Sequence, residues 1–139
     1  MSPVALDLAR RLVELPAWAW VPGMRVVHGD SANLPLRLVG GPSDSCHETP
    51  GDPRICTGLT RSDLPDLDDP ATGGALLVAL GHDAARVRYS PSLHKQAAGT
   101  PWIADLFGSS INSSITMHTS LGRACAAVMI ELASRQPCP

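Results

Sequence analysis

Cys46-His47 and Cys56 carry the soft ligand atoms that zinc prefers, thiolate sulfur and imidazole nitrogen. Structural zinc sites bring such ligands in close pairs of the C-x-x-C or H-x-x-x-H kind. Here Cys46 and His47 are adjacent and Cys56 stands alone, so His28 or Cys138 would have to complete the set. Adjacent residues rarely aim at one ion without a strained loop, and the spacing favours loop residues with free thiols. A Cys46–Cys56 bridge is expected only under oxidising conditions.

Asp63, Asp66, Asp68 and Asp69 are the second constellation, offset locally only by Arg61. Carboxylate oxygens suit Mg²⁺ or Ca²⁺, but the glycine and closing glutamate of an EF-hand loop are missing. As a partner-binding surface the four would dock on a basic groove and imitate phosphates. Their structural reading is turn formation and helix capping: Asp69 is a good N-cap and Pro70 fits the first helical position. Thr72-Gly73-Gly74 opens that helix, where a phosphate can be cradled. It lacks a P-loop lysine and dinucleotide-motif spacing, and the acidic run before it would repel phosphate.

His28, His47, His82, His94 and His118 lie scattered among serines and aspartates, an arrangement that does not define a catalytic triad. Neither a G-x-S-x-G elbow nor an H-E-x-x-H helix occurs, and Gly108-Ser109-Ser110 reads as a turn. His118 is expected as a hydrogen-bonded surface residue at a strand end. No catalytic residue and no cofactor are assigned.

The chain has 139 residues, 44% of them hydrophobic and 17% charged, with 13 prolines and 12 glycines. That composition suits one compact domain with much irregular chain, placed here at 1–139 with an irregular loop over about 40–63. A net charge of −2 with dispersed Lys and Arg argues against a general nucleic-acid partner. No apolar run approaches a membrane span, and Asp7, Arg10 and Arg11 interrupt any signal-peptide core, so a reducing cytoplasm is expected.

Periodicity supplies the elements. Ser2 and Pro3 open a first helix whose apolar stripe is Val4, Leu8, Leu12 and Leu15, stopped by Pro16. Trp18–Val21 and Met24–Val27 read as strand segments around a Pro22-Gly23 turn, with Trp18 and Trp20 buried together on one face. Leu36–Val39 is a further strand. The second helix runs from about Pro70 to Leu80 and ends at Gly81; its apolar run is expected to be buried. Arg86–Tyr89 and Ser114–His118 read as half-buried strands, and Trp102-Ile103 and Leu106-Phe107 as core plugs. The last helix spans about Ser120 to Ser134, capped by Thr119. Ala71-Thr72-Gly73-Gly74 and Thr119-Ser120-Leu121-Gly122, offset by 48 residues, both place a small or hydroxyl pair two residues before a glycine at a helix start, which predicts that the two helices lie side by side on one sheet.

Leu64-Pro65-Asp66-Leu67-Asp68-Asp69-Pro70-Ala71-Thr72-Gly73-Gly74 resembles a motif of small proteins from tailed bacteriophages and prophages. Pro16-Ala17-Trp18-Ala19-Trp20-Val21-Pro22-Gly23-Met24-Arg25-Val26 and the helix start Ser120-Leu121-Gly122-Arg123-Ala124 are similar to the same family. The three blocks together make up 27 of the 139 residues. The resemblance implies an α/β sandwich from a phage accessory gene and brings no activity or catalytic residue with it.

These readings together predict an α+β domain, a small mostly antiparallel β-sheet with about three α-helices packed on it as a two-layer or α/β/α sandwich. The expected function is binding: a phage-encoded accessory protein that docks on a host or phage protein in the host cytoplasm, for example as an anti-CRISPR-like inhibitor of a defence complex. Two rivals are a virion component, such as a head-decoration or connector protein that forms oligomers, and a small metal-dependent enzyme built on Cys46, His47 and Cys56 or on the aspartates.

Overall fold

The computed structural model describes residues 3–21, 23–28, 31–38, 46–47, 63–94, 99–106 and 114–135, with the backbone alone for 28, 31–38, 46–47, 93–94 and 114. Helix α1 is Pro3–Val13, followed by strands β1 (Arg25–His28), β2 (Ser31–Leu38), β3 (Cys46–His47) and β4 (Asp63–Pro65). Helix α2 (Pro70–Leu80) runs into a 3₁₀ turn at Gly81–Arg86, then β5 (Val87–Tyr89) and the short α3 (Pro91–His94). Strands β6 (Trp102–Leu106) and β7 (Ser114–His118) lead into α4 (Leu121–Arg135). The fold is α+β, and every strand pair is antiparallel. The strands divide into two sheets where one was expected, in the orders β3-β2-β1-β4 and β5-β6-β7.

Helix α4 sits at the centre. It packs against α1, α2 and all three strands of the second sheet. A surface helix buries one stripe. Here Ala124, Cys125 and Ala126 are all fully buried, and three successive residues point in three directions about 100° apart, so α4 is enclosed on several sides. The core around it includes Leu12, Met24, Leu67, Leu76 and Val128.

Helix α1 begins at Pro3 as expected, while Ser2 lies outside the described residues. Its buried face is Ala5, Leu8, Ala9 and Leu12, and Val4 is 61% exposed. The two alanines let the helix approach closely, which turns Val4 out of the predicted stripe. Residues 18–21 form no strand. Trp18 and Trp20 are half-buried together in an edge-to-face pair, ring centroids 5.4 Å apart, where burial of both was expected. The predicted turn is present: the Met24 N–H donates to Val21 O at 3.1 Å, and Gly23 takes φ +97°, a conformation an L side chain resists.

Trp102–Leu106 of the segment read as core plugs forms strand β6, with Ala104 fully buried and Trp102 and Leu106 packed on the core, while Phe107 lies outside the described residues. In β7 the alternation is present with its faces reversed. Thr116 and His118 turn inward and are half-buried, while Ile115 is 54% and Met117 55% exposed. The long pairing register with β6 fixes this, since Thr116 lies opposite buried Ala104. Most of the 40–63 loop lies outside the described residues; β3 pairs with β2 through Arg37↔His47 and Leu38↔Cys46.

Candidate functional site

The acidic segment folds into a tight corner between β4 and α2. Asp66 accepts the Asp68 N–H on Oδ1 at 3.1 Å, the side-chain-to-backbone bond of an aspartate turn. The Asp66 N–H donates to Arg25 O at 2.8 Å, and Asp66 Oδ2 stands 3.9 Å from Arg25 Nε. Asp69 is the N-cap of α2: its Oδ2 accepts from the Thr72 N–H at 3.0 Å and from the Thr72 hydroxyl at 2.9 Å. The same Thr72 hydroxyl accepts the Arg25 N–H at 2.8 Å, so one buried oxygen ties β1 to the start of α2.

The start of α4 closes the corner from the other side. Ser120 caps the helix in place of the expected Thr119: its Oγ accepts the Arg123 N–H at 3.3 Å and donates to Leu67 O at 2.9 Å. Arg123 grips Asp68 with a two-pronged fork, Nε to Oδ1 at 2.8 Å and Nη2 to Oδ2 at 2.9 Å. Burial pushes the Asp68 carboxyl up, but Arg123 and the Ser120 hydroxyl outweigh it and hold the group below its usual 3.8.

Close backbone approach makes this possible. A Cβ on Gly73 would stand 3.0 Å from Gly122 N, and one on Gly122 would overlap the backbone of Leu67. The two helix starts therefore pack side by side, but the contact is made by Gly73; a Cβ on Gly74, which matches Gly122 in the sequence echo, would have nothing within 4 Å of it.

Of the four aspartates read as partner-binding, Asp63 (3% exposed) and Asp69 (8%) are buried, with Asp63 in register with His28. Asp66 is half-buried and Asp68 faces solvent. Among the described residues no three His, Cys, Asp or Glu side chains come together as a metal site. Cys56 and Cys138, and the side chains of Cys46, His47 and His28, lie outside the described set.

His118 contacts the Thr116 hydroxyl through Nε2 at 2.7 Å. A hydroxyl–imidazole pair is the start of nucleophilic catalysis, which also needs a group to orient the base. Among the described residues no carboxylate bonds to this ring. Burial, and then the Arg123 cation, lower the His118 pKa below its usual 6.5. Cys125, buried beneath α2 with its thiol 4.0 Å from Gly73 O, has its pKa pushed up to about 12 by burial, which makes it a poor nucleophile.

The described surface offers something else. Helix α2 contains no charged residue from Pro70 to Leu80. Thr72, Gly73, Leu76 and Leu80 face inward, whereas Ala71, Val78 and Ala79 are exposed at i, i+7 and i+8 on the other side, with half-buried Gly74 between them and Ala75 packed at the edge of the core. Val78 is 82% exposed. The expectation that the whole run is buried fails because a helix that is apolar all round has two usable faces, and the protein covers one. Asp68 stands just before the N-terminal end of the exposed face. Searches of protein-family models, curated proteins and solved structures find no match to this chain.

Proposed function

We propose that the protein is a phage-encoded, non-enzymatic accessory protein that docks on a host or phage protein in the host cytoplasm, with inhibition of a bacterial defence complex as its role. The observation that carries the docking reading is the bare outer face of α2. A helix without charge on either side is normally covered on both. Val78 at its centre supplies the apolar anchor and Asp68, with Asp66 behind it, the polar rim that such interfaces use. Asp66, Asp68 and Asp69 support a binding role over catalysis, because turn formation, ion pairing and capping already occupy them. The partner-binding reading of the acidic segment therefore narrows to Asp66 and Asp68, with α2 as the ground beside them.

The test is capture from a phage-infected host lysate, comparing the native chain with Val78→Asp. Val78 is exposed, so the substitution costs stability only the roughly 1 kcal/mol or less of a carboxylate in the last helical turn. A charge in the centre of an apolar contact lowers capture of a specific partner by about tenfold or more. Equal capture by both chains, or no specific partner for the native chain, overturns the reading. A stable trimer or larger ring in solution points instead to a virion component.

A further inference from the structure

Strand β7 is an edge: among the described residues it pairs only with β6. Folded proteins blunt exposed edges with charges, prolines or bulges, because the free N–H and C=O groups otherwise template another strand. Ser114-Ile115-Thr116-Met117-His118 carries no Asp, Glu, Lys, Arg or Pro, and its register with β6 runs unbroken from Trp102↔His118 to Leu106↔Ser114. None of the three protections is present. On the side of the sheet away from α4, this edge also exposes Ile115 and Met117.

We infer that β7 pairs antiparallel with β7 of a second copy of this chain, about a two-fold axis through Thr116, making one continuous six-stranded sheet. The strand is self-complementary in that register. Thr116 lies opposite the partner's Thr116, Ile115 opposite the partner's Met117, and Ser114 opposite the partner's His118. Apolar meets apolar and polar meets polar, as an isologous contact requires.

The lack of charge on β7 suits the same occupant. Within one copy, Asp105 lies opposite Ile115, and Arg88 lies on the row of Ile103 and Met117. Pairing through β7 creates rows that read Asp105, Ile115, the partner's Met117, the partner's Ile103, the partner's Arg88. Each row is apolar in the middle and no like charges meet; its charged ends stand about 19 Å apart and add no attraction of their own. A charged peptide strand would find no counter-charge on β7 itself. The contact is centred on a strand of 5 residues, where a standard interface uses about 20–30 residues a side, so the dimer forms reversibly with concentration.

This inference concerns a different surface from α2, and its test is separate. Light scattering and sedimentation of the native chain, from about 5 μM to about 500 μM, read the mass across the range of weak affinities. The expected result is a monomer that becomes a dimer, with amide exchange at Ser114–His118 slowing as concentration rises. Ile115→Lys and Met117→Lys, both at exposed positions, raise the dimer dissociation constant about tenfold or more by placing like charges near the two-fold axis. A monomer throughout, a trimer or larger ring, or a dimer indifferent to both lysines overturns the proposal. Circular dichroism checks that the variants fold; if neither does, exchange in the native chain decides, and unchanged exchange with concentration counts as failure.

Discussion

A methyl group on Gly122 would stand 2.8 Å from the carbonyl carbon of Leu67 and closer still to its oxygen. Backbone cannot step aside as a side-chain tip can. We expect Gly122→Ala to cost about 2–4 kcal/mol, in the range of overpacking and strain, read as a fall in the urea midpoint. Gly73→Ala costs less, since its Cβ would meet Gly122 N at 3.0 Å and the Leu121 side chain at 3.2 Å. An unchanged midpoint for Gly122→Ala would show that α4 does not approach the Leu67 backbone this closely. His118 belongs to the same scale. Its folded pKa lies below the unfolded value of 6.5, so the unfolded chain takes up a proton first as pH falls. The stability associated with neutral His118 is complete above pH 6.5 and is lost as pH drops through the folded value. Asp68, also lowered, repeats this below its usual 3.8. Urea midpoints between pH 7.5 and 5.5 should decline for the native chain and much less for His118→Gln.

At the scale of elements, the start of α2 depends on one carboxylate. Asp69→Ala removes acceptors from the Thr72 N–H and hydroxyl together, and should cost about 1–2 kcal/mol in denaturant unfolding. Asp69→Asn should recover most of that loss. This helix start was readable because Asp69-Pro70 is local chemistry; so were the end at Gly81, the turn at Gly23 and the strand at Ser114–His118. What the sequence concealed was mostly which side faces the protein. Val4 and Ala5 both fit a helical stripe, and the packing of α1 on α4 chose Ala5. Helix α2 has apolar residues on every side, so its pattern carries no phase and Val78 gave no sign that it faces out. Strand β7 alternates clearly, but only its register with β6 shows that the polar residues turn inward. The fork between Arg123 and Asp68 joins residues 55 apart, beyond the reach of any local pattern.

Across the whole molecule the two proposed contacts lie on opposite partners of α4, one on α2 and the other on the second sheet. Val78→Asp is therefore expected to weaken partner capture and spare self-association, and Ile115→Lys to do the reverse, because sites without shared partners act independently. The central place of α4 has a further result, since it is the last described element to be synthesised. Helices α1 and α2 and the sheet β5-β6-β7 all pack on residues 121–135, so they emerge from the ribosome before their common support exists. Translation arrested ahead of Leu121 should leave a nascent chain that proteases cut freely, whereas arrest far enough downstream for Arg135 to clear the exit tunnel should give one that resists them.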